Sequence, residues 1–382
     1  MIDTTFSRQD KFGFYQTGDF KSYSRFEAAE KAVQSGHRLH WNFNDEIYSS
    51  LDWTQEPVES LGELYRQRAQ QLRDKYDYLV LWFSGGADST NILNSFIEND
   101  IKLDEVASYV NYEATGDRYN FLNAEIYHVA APVVETAKLK QPWLQHTVID
   151  LAQLTVDYFS DKSAKFDWIY HVNSHINPNA CARRDIKLKI PQWGKMFDNG
   201  KKVGFIYGID KPRVHGNDGK YYFLFSDMLD NAVSAECQMS NRSWEFNELF
   251  YWTTDLPKIL IKQGHVIKNY LKSVPDISSF CDGNQAPVRL ITKGKRQYLT
   301  FSALHTLIYP EWKPVLYQVK PNSLVFTPRD TWFFNLPDSD PAKYAWQAGL
   351  NYRAKLTKDF VLENPDHVSR PFRLSNLYYL GE

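Results

Sequence analysis

Residues 78–90 read YLVLWFSGGADST: a largely apolar run, two adjacent glycines and a polar segment. This order predicts a buried strand that turns directly into a helix. Gly85 and Gly86 would let the backbone approach a ligand closely, and the amides at the helix start would face that ligand with the positive end of the helix dipole. Ser84 and Ser89 add hydroxyl donors. The stretch therefore predicts a loop that binds phosphate.

The type of phosphate loop follows from the spacing of its glycines. The common pattern G-x-x-x-x-G-K-[ST] is absent, because the two glycines are adjacent and no lysine follows them. Residues 84–89 instead resemble the S-G-G-x-D-S signature of the PP-loop ATP pyrophosphatase superfamily, which includes asparagine synthetase, GMP synthetase and NAD synthetase. Every fixed position of the signature matches. The resemblance implies that the loop binds the pyrophosphate of ATP while a substrate oxygen attacks the α-phosphorus.

The same resemblance implies roles for individual residues. Asp88 would orient the loop or contact Mg²⁺, although its position also suits a helix N-cap. Phe83, Val110 and Tyr112 would form the wall around adenine, and packing in the core is an equal alternative for each. The residues that would bind the phosphates are Ser84, Gly85, Gly86, Ala87, Ser89 and Thr90.

A second cluster of charges follows the last predicted strand of the sheet. Residues 207–213 read YGIDKPR, so a glycine at a strand end precedes an acid and two cations. Such a group suits a second clamp for phosphate or magnesium. Asp210 would contribute to the Mg²⁺ site, and Lys211 and Arg213 would stabilise the leaving pyrophosphate. A charged turn that leads into a hairpin is the alternative.

The elements around the loop predict an α/β fold. Apolar strands are predicted at 78–83, 105–112, 145–150 and 202–208. Helices are predicted between or beside them at 57–75, 89–99, 121–140, 151–159 and 185–197. This alternation indicates a parallel sheet with helices on both faces, of the PP-loop, Rossmann-like kind. Ligands of such sheets bind at the carboxyl ends of the strands, where the loop lies.

The rest of the chain is divided by composition and periodicity. Three regions are predicted: 1–73, with an N-terminal hairpin and helices; 74–235, the ATP-binding α/β domain; and 236–382, a helical and aromatic-rich region for substrate or interface. The hairpin falls at 11–23 and is followed by a helix at 25–35. Within the third region we expect helices at 245–252 and 256–271, and the remainder shows no clear period.

Composition narrows the class of protein. The formal net charge of −2 lacks the basic excess typical of nucleic-acid binders. The chain has 3 cysteines, which lie far apart and predict neither a disulfide framework nor a zinc site. No signal peptide or membrane span is predicted, so we expect a cytoplasmic protein that does not contact membranes. The aromatic fraction of 15% is expected to lie mostly in the core, and a homo-oligomer is compatible with this sequence.

The resemblance thus implies an AMP-forming ligase that uses ATP and Mg²⁺. A carboxylate or carbonyl oxygen of a small molecule would be adenylated and then attacked by ammonia or an amine. Two alternatives stay open. One is a PAPS-reductase-like or thiolation enzyme of the same fold, which the absence of a C-x-x-C pair disfavours. The other is a nucleotide-binding module without turnover, whose aromatic-rich C-terminal third would form an interface.

Overall fold

The computed structural model describes residues 13–22, 25–161, 178, 190–208, 212–217, 219–225, 245–273, 290–293, 296–299, 307–310, 331–363 and 375–382. Its strands are β1 (Phe14–Thr17), β2 (Phe20–Ser22), β3 (Leu39–Asn42), β4 (Tyr78–Trp82), β5 (Glu105–Val110), β6 (Gln145–Asp150), β7 (Val203–Tyr207), β8 (Arg213–Asn217), β9 (Lys220–Leu224), β10 (Glu245–Leu249), β11 (Leu290–Lys293), β12 (Arg296–Leu299) and β13 (Tyr378–Gly381). Its helices are α1 (Arg25–Ser35), α2 (Asp45–Ser49), α3 (Leu61–Lys75), α4 (Ala87–Ile97), α5 (Tyr112–Thr115), α6 (Phe121–Glu125), α7 (Ala131–Lys138), α8 (Ala152–Ser160), α9 (Pro191–Asp198), α10 (Lys258–Ser273), α11 (Thr331–Phe334) and α12 (Pro341–Glu363). A π-helical turn at Ile126–Ala130 joins α6 to α7.

A five-stranded parallel sheet lies at the centre, in the order β10-β7-β4-β5-β6. The chain starts this sheet at β4 and adds β5 and β6 on one side. It then returns to the other side of β4 to add β7 and β10. The strand order therefore reverses between β4 and β7, and open α/β sheets bind ligands at such a switch point, outside the carboxyl ends of the strands. The prediction of a parallel α/β sheet is confirmed.

Helices cover both faces of this sheet. Trp82, at the end of β4, packs edge-on against Trp193 of α9, with ring centroids 5.7 Å apart. The ring of Tyr207 in β7 lies beside that of Trp82, with centroids 6.1 Å apart, so the next position, Gly208, faces the opposite side of the sheet. A Cβ atom at Gly208 would lie 3.1 Å from Ile92 of α4. Helices α9 and α4 thus pack on opposite faces.

The prediction of a helix at 245–252 is wrong, because residues Glu245–Leu249 form β10 and pair with β7 along its whole length. Contacts from α3 hold this strand in place. Glu248 accepts hydrogen bonds at 2.9 Å from Arg68 Nη2 and at 2.9 Å from Lys75 Nζ, and it also accepts one from the Tyr76 hydroxyl. These distant partners override the local helical pattern. Strand β10 lies beyond residue 235, the predicted end of the ATP-binding region.

Two further sheets flank the parallel one. The N-terminal sheet has the order β2-β1-β3 and confirms the predicted hairpin. An antiparallel sheet follows β7 in the order β11-β12-β8-β9-β13. Aromatic rings fill the space between these regions; Trp53, for example, stacks on Tyr378 with centroids 4.6 Å apart. Within the described residues, every helix is too short or too polar to cross a membrane.

Candidate functional site

The loop between β4 and α4 requires glycine at position 85. Gly85 has φ +75°, a left-handed conformation that other residues rarely adopt. A Cβ atom there would lie 3.0 Å from the backbone nitrogen of Ala130 and 3.1 Å from its Cα. Ala130 ends the π-helical turn, and such turns occur frequently at functional sites. Both conformation and space therefore exclude a side chain from this position.

The start of α4 is held by the loop itself. Gly86 is the N-cap, and as a glycine it has no side chain that could cap the helix. Asp88 is therefore the second helical residue, and its interpretation as the N-cap is wrong. The Gly86 amide donates to Ser84 Oγ (3.3 Å), and the Ser84 amide donates to Ser89 Oγ (3.4 Å). The serines thus stabilise the turn, while the first helical amides have no intrahelical acceptor.

Buried oxygen atoms of Thr90 and Asn111 lie at or near the carboxyl edge of the sheet. Thr90 Oγ1, in the first turn of α4, has no hydrogen-bond partner among the described residues. The same holds within those residues for Oδ1 of Asn111, which directly follows β5. Both residues are buried. A buried polar atom without a partner is unfavourable, so each of these atoms is suited to a bound polar group.

Asp88 is fixed at two points by tyrosines from distant segments. The Tyr309 hydroxyl donates to Asp88 Oδ1, and the Tyr251 hydroxyl donates to the Asp88 carbonyl at 2.9 Å. Asn91 Nδ2 donates in turn to the Tyr251 hydroxyl at 3.0 Å. Burial raises the pKa of Tyr251 and of Tyr309 well above its ordinary value, so both hydroxyls keep their protons. Nothing in the local sequence around 88 points to these residues; Tyr309 is 221 positions away.

The residues predicted to surround adenine are separated by the structure. Phe83 and Val110 are buried in the main core, and the Phe83 carbonyl accepts a hydrogen bond from Ser108 Oγ at 2.6 Å. Tyr112 lies on the surface as the first residue of α5, and its ring meets the ring of Tyr127 edge-on at 6.2 Å. Core packing accounts for the first two positions, and Tyr112 is the one that solvent reaches.

The second predicted cluster begins beside the loop. A Cβ atom at Gly208 would lie 3.1 Å from Asp88 Cβ, so the end of β7 adjoins the start of α4. Asp210 and Lys211 lie outside the described residues. Arg213 is the first residue of β8 and pairs with Leu224 of β9. The structure thus brings the start of the YGIDKPR segment to the loop.

The described residues can supply part of the coordination of a magnesium ion, but not all of it. Within the described residues, His, Cys, Asp and Glu side chains form no group of three that could hold a metal ion. Mg²⁺ that accompanies a nucleotide needs only one or two carboxylates, because phosphate oxygens and water complete its coordination. Asp88, in the first turn of α4, can supply one carboxylate of this kind.

Comparison with known proteins adds no family. No protein-family model matches the chain, and no curated protein matches it significantly. The PP-loop resemblance accordingly stays a prediction that rests on residues 84–89 and on the sheet around them.

Proposed function

We propose that this chain is an AMP-forming ligase of the PP-loop type. It splits ATP into AMP and pyrophosphate and thereby activates a carboxylate or carbonyl oxygen for attack by ammonia or an amine. One observation carries the proposal: the N-cap of α4 is a glycine, which has no side chain to cap the helix, and this helix start lies at the point where the strand order of the sheet reverses. Backbone amides at the N-terminus of a helix that lies at a switch point can form a binding site for phosphate.

The electrostatics of the loop favour an anion. The amides of the first turn of α4 carry the positive end of the helix dipole, which amounts to about half an elementary charge. Gly86, at the start of the helix, places no side chain between this backbone and the ligand. Donors that are already in place stabilise the charge that develops on a leaving pyrophosphate, because no reorganisation is needed during the reaction. The loop can therefore contribute to catalysis as well as to binding.

The proposed reaction forms one bond and breaks one. An oxygen of the acceptor forms a bond to the α-phosphorus, and the bond from that phosphorus to the bridging oxygen of pyrophosphate breaks. Ser84 and Ser89 hold the turn in shape. We assign the binding of Mg²⁺ to Asp88 and Asp210, and the stabilisation of pyrophosphate to Lys211 and Arg213. Bound Mg²⁺ would neutralise phosphate charge.

The test uses ATP labelled at the α-phosphate, with Mg²⁺ and a metabolite extract from the native host. We expect labelled AMP and a new mass in the extract. Ser84→Ala removes the acceptor for the Gly86 amide, so we expect AMP formation to slow about tenfold or more. Ser50→Ala is a matched control, because Ser50 Oγ also bonds to a nearby backbone group, the Ile47 carbonyl at 2.7 Å, outside the loop.

Three outcomes would contradict the proposal. ATP that is bound but stays intact with every supplement would indicate a nucleotide-binding module without turnover. ATP that is not bound at all would show that the loop is not a phosphate site. Equal AMP formation by wild type and Ser84→Ala would place the reaction elsewhere.

A further inference from the structure

A short segment of the C-terminal third reaches the phosphate loop. Residues 307–310 include Ile308 and Tyr309, both almost completely buried. The segment is anchored from two helices: the Tyr65 hydroxyl of α3 donates to the Ile308 carbonyl at 2.5 Å, and Gln263 Nε2 of α10 donates to that hydroxyl at 2.8 Å. Tyr309 is therefore presented to the loop from a firmly held backbone.

The contact that Tyr309 makes is strong for its kind. Its hydroxyl donates to the carboxylate of Asp88, and a hydrogen bond to an ionised acceptor is about twice as strong as one between neutral groups. The Tyr251 hydroxyl meanwhile holds the Asp88 carbonyl at 2.9 Å. Backbone and side chain of Asp88 are thus fixed by separate tyrosines, whose rings lie 5.1 Å apart. This arrangement limits the rotation of the carboxylate.

We propose that Tyr309 is a positioning residue of the phosphate loop, whose hydroxyl holds the Asp88 carboxylate in the orientation that ATP binding requires. The inference rests on the proposed function, and it gives the region after residue 236 a part in completing the ATP site. Side chains that bind a ligand need support from neighbours that fix their rotamers. Tyr309 supplies that support from a distant segment and does not itself touch the nucleotide.

The test compares two tyrosines that donate to aspartates. Tyr309→Phe removes the hydroxyl and keeps the ring. Tyr378→Phe is the matched control, because the buried Tyr378 donates to Asp45 Oδ1 at 3.2 Å, away from the loop. Hydrogen exchange of the peptide that covers residues 84–90 is measured without nucleotide, and Mg-ATP affinity is measured by calorimetry. Denaturant unfolding of each variant corrects for any change in global stability.

The two variants should differ at the loop. For Tyr309→Phe we expect exchange at residues 84–90 to rise about fivefold or more and Mg-ATP affinity to fall about tenfold, since a hydrogen bond to a charged group is lost. For Tyr378→Phe we expect no change in either quantity at the loop. Equal exchange in wild type and Tyr309→Phe would overturn the proposal.

A double variant separates positioning from general packing. With Asp88→Ala, the carboxylate is gone, so adding Tyr309→Phe should leave loop exchange unchanged. Additive effects of the two substitutions would show that Tyr309 acts through the core, and would overturn the proposal. A wild-type protein that binds no ATP would refute the proposed function, whereas the exchange cycle would still decide whether Tyr309 positions the loop.

Discussion

Helix α3 precedes β4 in the chain and helix α4 follows it. The first turns of the two helices differ in how they are capped. At α3, Ser60 Oγ accepts the Glu63 amide at 3.2 Å, and Glu63 Oε2 accepts the Ser60 amide at 2.7 Å. At α4, the N-cap is Gly86, which has no side chain to cap the helix. The first helix satisfies its own end, as a capping box does. The second has a glycine at the same position, which agrees with the anion site that we propose at this helix start.

The interior of α3 gives this helix a structural role. In α3, Arg68 is buried and bonded to Glu248, to the Leu249 carbonyl and to Asp255. Each helix also has one buried atom, Arg68 Nε in α3 and Thr90 Oγ1 in α4, that lacks a partner within the described residues. Helix α3 therefore serves stability by joining β10 to the sheet. In the function that we propose, the first turn of α4 serves binding.

The largest expected effect is a loss of stability, and it comes from a substitution in α3. Arg68→Met leaves the carboxylate of Glu248 buried without its main cation, so we expect the free energy of unfolding to fall by about 3–5 kcal/mol. Arg66→Met, on the exposed face of the same helix, should change it by less than about 0.5 kcal/mol. Urea denaturation measures both. A small change in the free energy of unfolding for Arg68→Met would show that α3 does not stabilise the protein through Glu248.

An intermediate effect comes from giving α4 the cap it lacks. Gly86 has φ −73° and ψ 167°, which any residue adopts, so Gly86→Asp can cap the helix and stabilise it by a few tenths of a kcal/mol. The new carboxylate would occupy the phosphate position and repel it. We expect ATP affinity to fall about 100-fold, which is about 2.7 kcal/mol, by calorimetry.

Gly86→Ser separates the two causes in that experiment. Serine caps the helix without adding charge, so its loss of ATP affinity should be clearly smaller than that of Gly86→Asp. Equal affinity in wild type and Gly86→Asp would mean that the first turn of α4 is not the anion site. The contrast between the two helices would then have no functional meaning.

A region could be predicted from the sequence where its structure depends on residues that are close together in the chain. The strand, loop and helix at 78–97 could be predicted, because an apolar run, two glycines and a polar helix start act over a few residues. Strand β10 was predicted as a helix, since the residues that hold Glu248 come from α3, more than 170 positions earlier. Local pattern cannot encode such a partner.

Some features of the candidate site likewise depend on nearby residues, and others depend on distant ones. The motif predicts Ser84 and Ser89 as donors to phosphate, and the structure shows that both hydroxyls bond within the turn. Tyr251 and Tyr309, which fix Asp88, have no local signal, because their roles arise only when the sheet and the C-terminal segment meet. In the same way, the 23-residue helix α12 escaped prediction in a region without a clear apolar period. Where the sequence shows no clear period, long-range packing determines the secondary structure.

The smallest expected effect is also the sharpest check on the comparison. Ser60→Ala removes the side-chain acceptor at the start of α3, so we expect the free energy of unfolding to fall by about 1 kcal/mol. ATP affinity should stay unchanged, because that helix end faces no proposed ligand. If Ser60→Ala weakened ATP binding as much as Ser84→Ala did, the two helix starts would be coupled through β4. Their separate roles in stability and binding would then have to be given up.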